Sequence, residues 1–154
     1  LCEKVMAINE QEAEAMIACA KKNHVILLEA MRSDFDPAFE LVKEQLPRIG
    51  TLRRVEFEFC QYSSRYDNFL NGIVENAFDP ELLNSAARDI GVYCIHAIVR
   101  LFGEPEKVET YSTFLSNGFE GFIFDRQGSL RPLGRRRGYQ PGGGQFCQDQ
   151  AGAA

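Results

Sequence analysis

Apolar residues recur at helical spacing in the first segment of the chain. The recurring positions are Ala13, Met16, Ile17 and Ala20. Asn9 precedes them as an N-cap, and Lys22 closes the pattern before Asn23, a residue that tolerates the left-handed conformation. The spacing predicts a first helix from about residue 10 to residue 22, with Cys19 packed inside.

Two short predicted strands flank this helix. Residues 25–28 are wholly apolar, which is typical of a strand buried on both faces of a parallel sheet. Residues 1–4 fit the end of a similar strand with no strand before it. We therefore expect the chain to begin within a fold, at the end of a doubly wound α/β domain.

The middle of the chain changes period. Asp36 and Pro37 predict the start of a second helix. Residues 52–62 then alternate between apolar and charged side chains, which predicts a half-buried antiparallel strand. Residues 63–80 show no period and are expected to form a loop.

A third helix is predicted over residues 85–102, with Cys94 on its buried side, and Gly103 ends it. Two strands follow at residues 108–114 and 119–124. The order of elements predicts an α/β to α+β fold, in which the C-terminal end of a Rossmann domain leads into part of a domain with an open, mainly antiparallel sheet.

Residues 125–154 differ in composition from the rest. Seven of the 13 glycines lie after residue 127, together with an arginine triplet at residues 135–137. Apolar periodicity is absent there, so we predict a disordered tail, and the abrupt change suggests non-native sequence.

Charge and cysteine content narrow the class of protein. Residues 1–124 carry 12 basic and 20 acidic side chains, which argues against a nucleic-acid partner. No apolar run has the length of a membrane span, so no membrane partner is expected. The five cysteines form no Cys-x-x-Cys pair and no ligand cluster, so we expect reduced thiols, no metal and a cytoplasmic location.

Three residues are candidates for chemistry. Lys4 follows a short strand, at the edge where α/β sheets place ligands, although a surface lysine would look the same. Asp89 and Tyr93 are four residues apart on one helix and face the same way. Asp89 would also be suited to the first turn of a helix as an acidic residue, and Tyr93 to the core as an aromatic one. His96 suits a packed core histidine, and Arg65, in a loop between two tyrosines, suits either a substrate contact or a turn.

Two segments resemble known motifs. The sequence Cys-Glu-Lys-Val at residues 2–5 resembles the Glu-Lys-Pro segment of the Gfo/Idh/MocA (glucose–fructose oxidoreductase / inositol dehydrogenase) family. Residues 89–96, Asp-Ile-Gly-Val-Tyr-Cys-Ile-His, resemble the Asp-x-Gly-x-(His or Tyr) helix of that family. The resemblance covers residues 1–124. This chain departs from the family pattern at Val5, where proline is usual, and at residues 85–87, where Ser-Ala-Ala replaces the Gly-Gly pair that is common before the aspartate.

The resemblance implies an NAD(P)-dependent oxidoreductase acting on a sugar, polyol or dihydrodiol hydroxyl. It implies that Lys4, Tyr93 and Asp89 are catalytic and that Glu3 and Lys4 contact NAD or NADP. Arg65 and His96 are further candidates for substrate contact from their own positions in the sequence. The intact protein would be a homo-oligomer that takes a small carbohydrate-like molecule.

The resemblance also divides the chain. Residues 1–30 would end a Rossmann domain, residues 31–124 would begin the second domain, and most of the cofactor site would lie outside this sequence. On this basis the chain is expected to be an inactive fragment of a dehydrogenase. The alternative is a non-catalytic fragment or interaction module that uses its exposed sheet.

Overall fold

The computed structural model describes residues 1–127 and 144–149, with side chains for residues 1–124. Its helices are α1 (Glu10–Lys22), α2 (Pro37–Gln45), α3 (Tyr66–Leu70) and α4 (Val92–Phe102). Its strands are β1 (Val55–Cys60), β2 (Val108–Phe114), β3 (Glu120–Gln127) and β4 (Gly144–Asp149). Short 3₁₀ turns occupy Arg32–Phe35, Leu46–Ile49, Asn76–Phe78 and Pro80–Leu82, and a π-helical turn, Ala87–Gly91, leads into α4.

Both early helices begin where the sequence predicts. The Asn9 side chain accepts a hydrogen bond from the backbone N–H of Glu12 at 2.9 Å, and the Asp36 side chain caps α2 in the same manner. The predicted left-handed cap at Asn23 is wrong, because its φ is −96° and the left-handed residue is His24. The Asn23 amide instead donates to the Cys19 carbonyl, so the side chain satisfies that carbonyl.

The predicted buried strand at residues 25–28 is also wrong. Val25 is 60% exposed and Ile26 is 84% exposed. Pairing in this stretch is limited, among the described residues, to a parallel bridge between Cys2 and Glu29. Cys19, predicted to be buried, is exposed as well, and α1 has no buried residue. A wholly apolar run is suited to a strand with both faces buried, but it becomes buried only where other elements pack on each face.

The sheet has the order β1-β4-β3-β2. Strands β2 and β3 form an antiparallel pair, as do β3 and β4, which confirms the mainly antiparallel sheet. Side chains of β1 alternate between partly buried and exposed as predicted. However, β1 pairs in parallel with β4, which corrects the predicted antiparallel strand, because alternation reports one wet face and not the direction of a neighbour.

The structure contains two strand segments within the predicted disordered tail, residues 125–154. Residues 125–127 extend β3, and Gly144–Asp149 form β4 between β1 and β3. Residues 128–143 and 150–154 lie outside the described residues. Strand pairing uses backbone N–H and C=O groups, so the neighbouring edges of β1 and β3 can order a segment that lacks apolar periodicity.

The core lies where α4 covers β1. Ile98 is fully buried and packs with Cys94 and Phe102 against the inner side chains of β1. Beside this core, Phe78 and Phe119 are fully buried with their ring centroids 5.1 Å apart. Phe78 lies in the predicted loop 63–80, which in fact contains α3 and a 3₁₀ turn, because its aromatic side chains pack on one another without following a helical period.

Candidate functional site

Lys4 lies directly after the paired N-terminal segment. The backbone of Cys2 is hydrogen-bonded to Leu28 and Ala30, which fixes the chain just before Lys4. The peptide bond between Lys4 and Val5 is cis, and the Met6 N–H donates to the Glu29 carboxylate at 2.7 Å. The Lys4 side chain is only 15% exposed, so its ammonium is held against the protein and not in bulk water.

The ammonium of Lys4 meets Asp89. Lys4 Nζ donates to Asp89 Oδ1 at 2.7 Å and also to the Asp89 backbone carbonyl. Asp89 lies in the π-helical turn that precedes α4, and such turns occur often at functional sites. Lys4 and Asp89 are 85 positions apart in the sequence, so their contact joins the N-terminal segment to the start of the third predicted helix.

Tyr93 lies one helical turn beyond Asp89. Its ring centroid is 5.3 Å from Lys4 Nζ, within the range of a cation–π interaction, and 5.7 Å from the ring of Phe59 on β1. The ammonium thus faces the ring while its hydrogen bonds go to Asp89. The structure brings Lys4, Asp89 and Tyr93 together, as their sequence patterns suggested.

Lys4 and Asp89 line an open cleft with a volume of about 340 Å³. Its other lining residues are Val5, Met6, Ala7, Ile8, Glu12, Leu82, Leu83, Asn84 and Arg88. Tyr93 is not among them. A molecule in the cleft would meet the ammonium and the carboxylate directly, with the phenol ring next to the ammonium.

The other predicted contacts lie in separate interactions. His96 Nε2 is 2.9 Å from Asp34 Oδ1, and Arg100 Nε is 3.2 Å from the same oxygen. Arg65 pairs with Glu75 at 3.2 Å in the segment around α3. Glu3 is exposed and does not line the cleft. His96 and Arg65 therefore have structural partners, and the geometry does not bring them to Lys4.

The α3 segment contains a perturbed phenol. Tyr62 Oη donates to Asp67 Oδ1 at 2.6 Å, and this hydrogen bond to a carboxylate raises the pKa of Tyr62 above its ordinary value. Tyr62 is exposed, and its ring meets Tyr66 edge to face. These contacts order the segment around Arg65 and do not place it in the cleft.

Sequence patterns missed Arg88 and Asn84 as cleft residues and Glu120 as a neighbour of the helix start. Arg88 directly precedes Asp89 in the chain, and this adjacency to a candidate site residue could have indicated that it lies at the cleft. Glu120 gave no signal, because its contact with Ala87 spans 33 residues.

Within the described ranges, no three histidine, cysteine, aspartate or glutamate side chains are grouped to hold a metal ion. The same part of the chain contains no helix with the length and apolarity needed to cross a bilayer.

Comparison with known proteins places these motifs in context. No family model matches the chain. It is 52% identical over 121 residues to scyllo-inositol 2-dehydrogenase (NADP(+)) IolU of Bacillus subtilis (strain 168), which covers 79% of this chain and 37% of that protein. It is 32% identical over 127 residues to the trans-1,2-dihydrobenzene-1,2-diol dehydrogenase of Mus musculus, covering 80% of this chain and 36% of that protein.

The chain belongs to the Gfo/Idh/MocA family of oxidoreductases. The crystal structure of an NAD binding oxidoreductase from Klebsiella pneumoniae superposes with a TM-score of 0.75 at 20% identity, over 97% of this chain and 41% of that one. This likeness shows the fold and confirms the predicted fold class.

The chain spans 37% of the length of the inositol dehydrogenase that it matches. Family membership therefore applies to the part that carries Lys4, Asp89 and Tyr93.

Proposed function

We propose that this chain carries the proton-transfer part of an NAD(P)-dependent dehydrogenase that oxidises a secondary hydroxyl of a polyol or dihydrodiol. The main support is the contact between Lys4, Asp89 and Tyr93 beside an open cleft. The substrate class follows two relatives, one named for scyllo-inositol and the other for a dihydrobenzene diol.

The chemistry needs a hydride acceptor and a proton acceptor. Nicotinamide, when bound, supplies the hydride acceptor. Tyr93 is the proposed proton acceptor, because tyrosine is one of the side chains that can transfer a proton to and from a reacting hydroxyl and its ring lies beside the Lys4 ammonium. Lys4 is the nearby cation on the described part of the chain, with Nζ 5.3 Å from the ring centroid.

Asp89 has two proposed tasks. Its carboxylate fixes the ammonium at 2.7 Å, which keeps the charge beside the Tyr93 ring. The Asp89 side chain is 41% exposed at the cleft, so it also has an accessible surface for a substrate hydroxyl. Holding both groups in one geometry lowers the entropic cost of reaching the transition state.

The residues fit a nicotinamide cofactor in part. Lys4 lines the cleft with a side chain that is 15% exposed, so it would contact the cofactor near the reacting carbon. The proposed contact of Glu3 with the cofactor is supported by its position next to Lys4 in the chain, since Glu3 itself is exposed outside the cleft. We further propose that residues 1–30 end the dinucleotide-binding domain and that residues 31–124 begin the substrate domain.

The decisive test uses Lys4→Ala and Tyr93→Phe in the full-length gene product, assayed with scyllo-inositol and NADP. Each change should lower kcat by ~10²- to 10⁴-fold with a much smaller change in KM, because each removes a group needed for proton transfer. The matched controls are Lys43→Ala and Tyr111→Phe, two exposed positions away from the cleft.

Normal turnover in both site variants would rule out this assignment. Loss of turnover in the control variants would show that the assay reports folding instead. If the intact protein neither turns over nor binds the cofactor saturably in a calorimetric titration, the non-catalytic interaction module becomes the better description.

The exposed sheet also supports an oligomer. On β2, Tyr111 and Phe114 are each 61% exposed, and Val108 is 48% exposed. Side chains alternate along β2, so Tyr111 lies on one face and Val108 and Phe114 on the other, and exposed apolar side chains of this kind are commonly covered by association. We expect the full-length protein to be a homo-oligomer by light scattering, and we expect Tyr111→Ser with Phe114→Ser to lower its mass. A monomeric mass for the wild-type protein would contradict this.

A further inference from the structure

We propose that Glu120 is a positioning residue that holds the start of the helix carrying Asp89 and Tyr93 so that both face Lys4. This inference rests on the proposed function, because it concerns the alignment of the same three side chains. Glu120 opens strand β3 and does not line the cleft.

The carboxylate of Glu120 joins the sheet to the helix. Its Oε1 accepts a hydrogen bond from the Ala87 backbone N–H at 3.2 Å, and its Oε2 accepts one from Ser112 Oγ at 2.7 Å. Ala87 is the first residue of the π-helical turn and lies two positions before Asp89. N–H groups at a helix start lack partners within the helix, and a negative charge there is favourable.

A second side chain fixes the next N–H group. Ser85 Oγ accepts from the Arg88 N–H at 3.2 Å. Two consecutive N–H groups just before Asp89 are therefore held, one by a local side chain and one by the sheet. Of these two hydrogen bonds, the one to Glu120 connects this turn to β2 and β3, because Ser85 moves with the helix itself.

A bulge in β3 explains why Glu120 faces the helix. Phe114 on β2 pairs with Glu120, but the preceding residue Thr113 pairs with Phe122, so Gly121 is the extra residue. The extra residue places Glu120 and Phe122 on opposite faces, whereas regular alternation would place them on the same face. Glu120 therefore lies on the face of Ser112, its diagonal neighbour across the pair.

Gly121 is suited to this bulge. It is buried, and a Cβ atom there would lie 3.0 Å from Cγ and Cδ2 of Leu115. A side chain at this position would require Leu115 to move. The bulge at Gly121 and the two hydrogen bonds together place the Glu120 carboxylate at the start of the helix that carries Asp89 and Tyr93.

The test measures kcat, KM and backbone amide exchange in the full-length gene product. Glu120→Ala should lower kcat by about ten- to a hundredfold while KM changes by less than about threefold, because the groups remain present but are misaligned. The Ala87 amide should lose its protection against hydrogen exchange. Glu120→Gln keeps an oxygen for the Ala87 N–H and should recover most of kcat.

Two further variants separate positioning from folding. Glu120→Asp keeps the charge but shortens the side chain, so it should lose the Ala87 protection and lower kcat with a stability near wild type. Glu106→Ala removes an exposed carboxylate just before β2 and should leave kcat, KM and Ala87 exchange unchanged.

The outcomes distinguish this inference from the proposed function. If Lys4→Ala and Tyr93→Phe lower kcat, but Glu120→Ala leaves kcat and Ala87 exchange unchanged, the positioning role is overturned and the proposed function remains. If all three variants have normal kcat, the proposed function fails and the positioning role fails with it. A fall in kcat for Glu120→Ala that Glu120→Gln does not recover would also overturn the role.

Discussion

The N-terminal segment, residues 1–30, and the core region, formed by β1, α4 and the adjacent Phe78–Phe119 pair, both contain apolar residues but bury them to different extents. In the first, α1 has no buried residue and Ile26 is 84% exposed. In the second, Ile98 and Phe78 are fully buried. The difference shows that an apolar pattern stabilises a fold only where another element supplies the opposing surface.

The site lies where these two regions meet. Lys4 comes from the poorly packed segment, and Asp89 and Tyr93 come from the well-packed helix. The better-packed side of this contact is thus the helix, and Glu120 accepts a hydrogen bond from Ala87 at its start. The comparison implies that the precision of the site depends on how firmly the N-terminal segment is fixed to the rest.

The largest expected effect contrasts Phe78 with Ile26. Phe78→Ala in the 154-residue chain should lower the free energy of unfolding by about 3–5 kcal/mol, because it leaves a cavity among packed aromatic rings. Ile26→Ala should change it by less than about 0.5 kcal/mol, because the side chain is already in solvent. Urea unfolding followed by circular dichroism measures both. Equal losses would mean that the two regions are equally packed.

A smaller effect is expected where the turn that follows the N-terminal segment meets α4. Asp34, in the turn before α2, accepts contacts from His96 and Arg100 of α4. Asp34→Ala should lower the unfolding free energy by about 1 kcal/mol, since the groups are partly exposed, and this loss should shrink at high salt.

The matched control is Glu40→Ala, whose carboxylate is 4.0 Å from Arg100 and 3.7 Å from Lys43. It should cost less than Asp34→Ala in the same urea titration. Hydrogen exchange of the Arg32–Phe35 amides should speed up only in the Asp34 variant. An Asp34 variant as stable as wild type, at low and high salt alike, would show that these ion pairs do not help to hold the turn Arg32–Phe35 against α4.

Local signals in the sequence predicted several elements correctly. N-capping by Asn9 and Asp36, the alternation of β1 and the glycine after α4 each involve residues close together in the chain, so their physics is visible without a partner. The exposure of residues 25–28 and the direction of β1 depended on distant elements and were predicted wrongly.

For the candidate site, the sequence by itself determined the residue types: a lysine after a short N-terminal segment, and an aspartate and a tyrosine one helical turn apart. Only the tertiary structure decided that Lys4 Nζ lies 2.7 Å from Asp89 and over the Tyr93 ring, and that Glu120 reaches Ala87. The physical reason is distance along the chain. Helical periodicity relates residues that are a few positions apart. The contact between Lys4 and Asp89 spans 85 positions and the contact between Ala87 and Glu120 spans 33, so both form only after the strands and helices have packed.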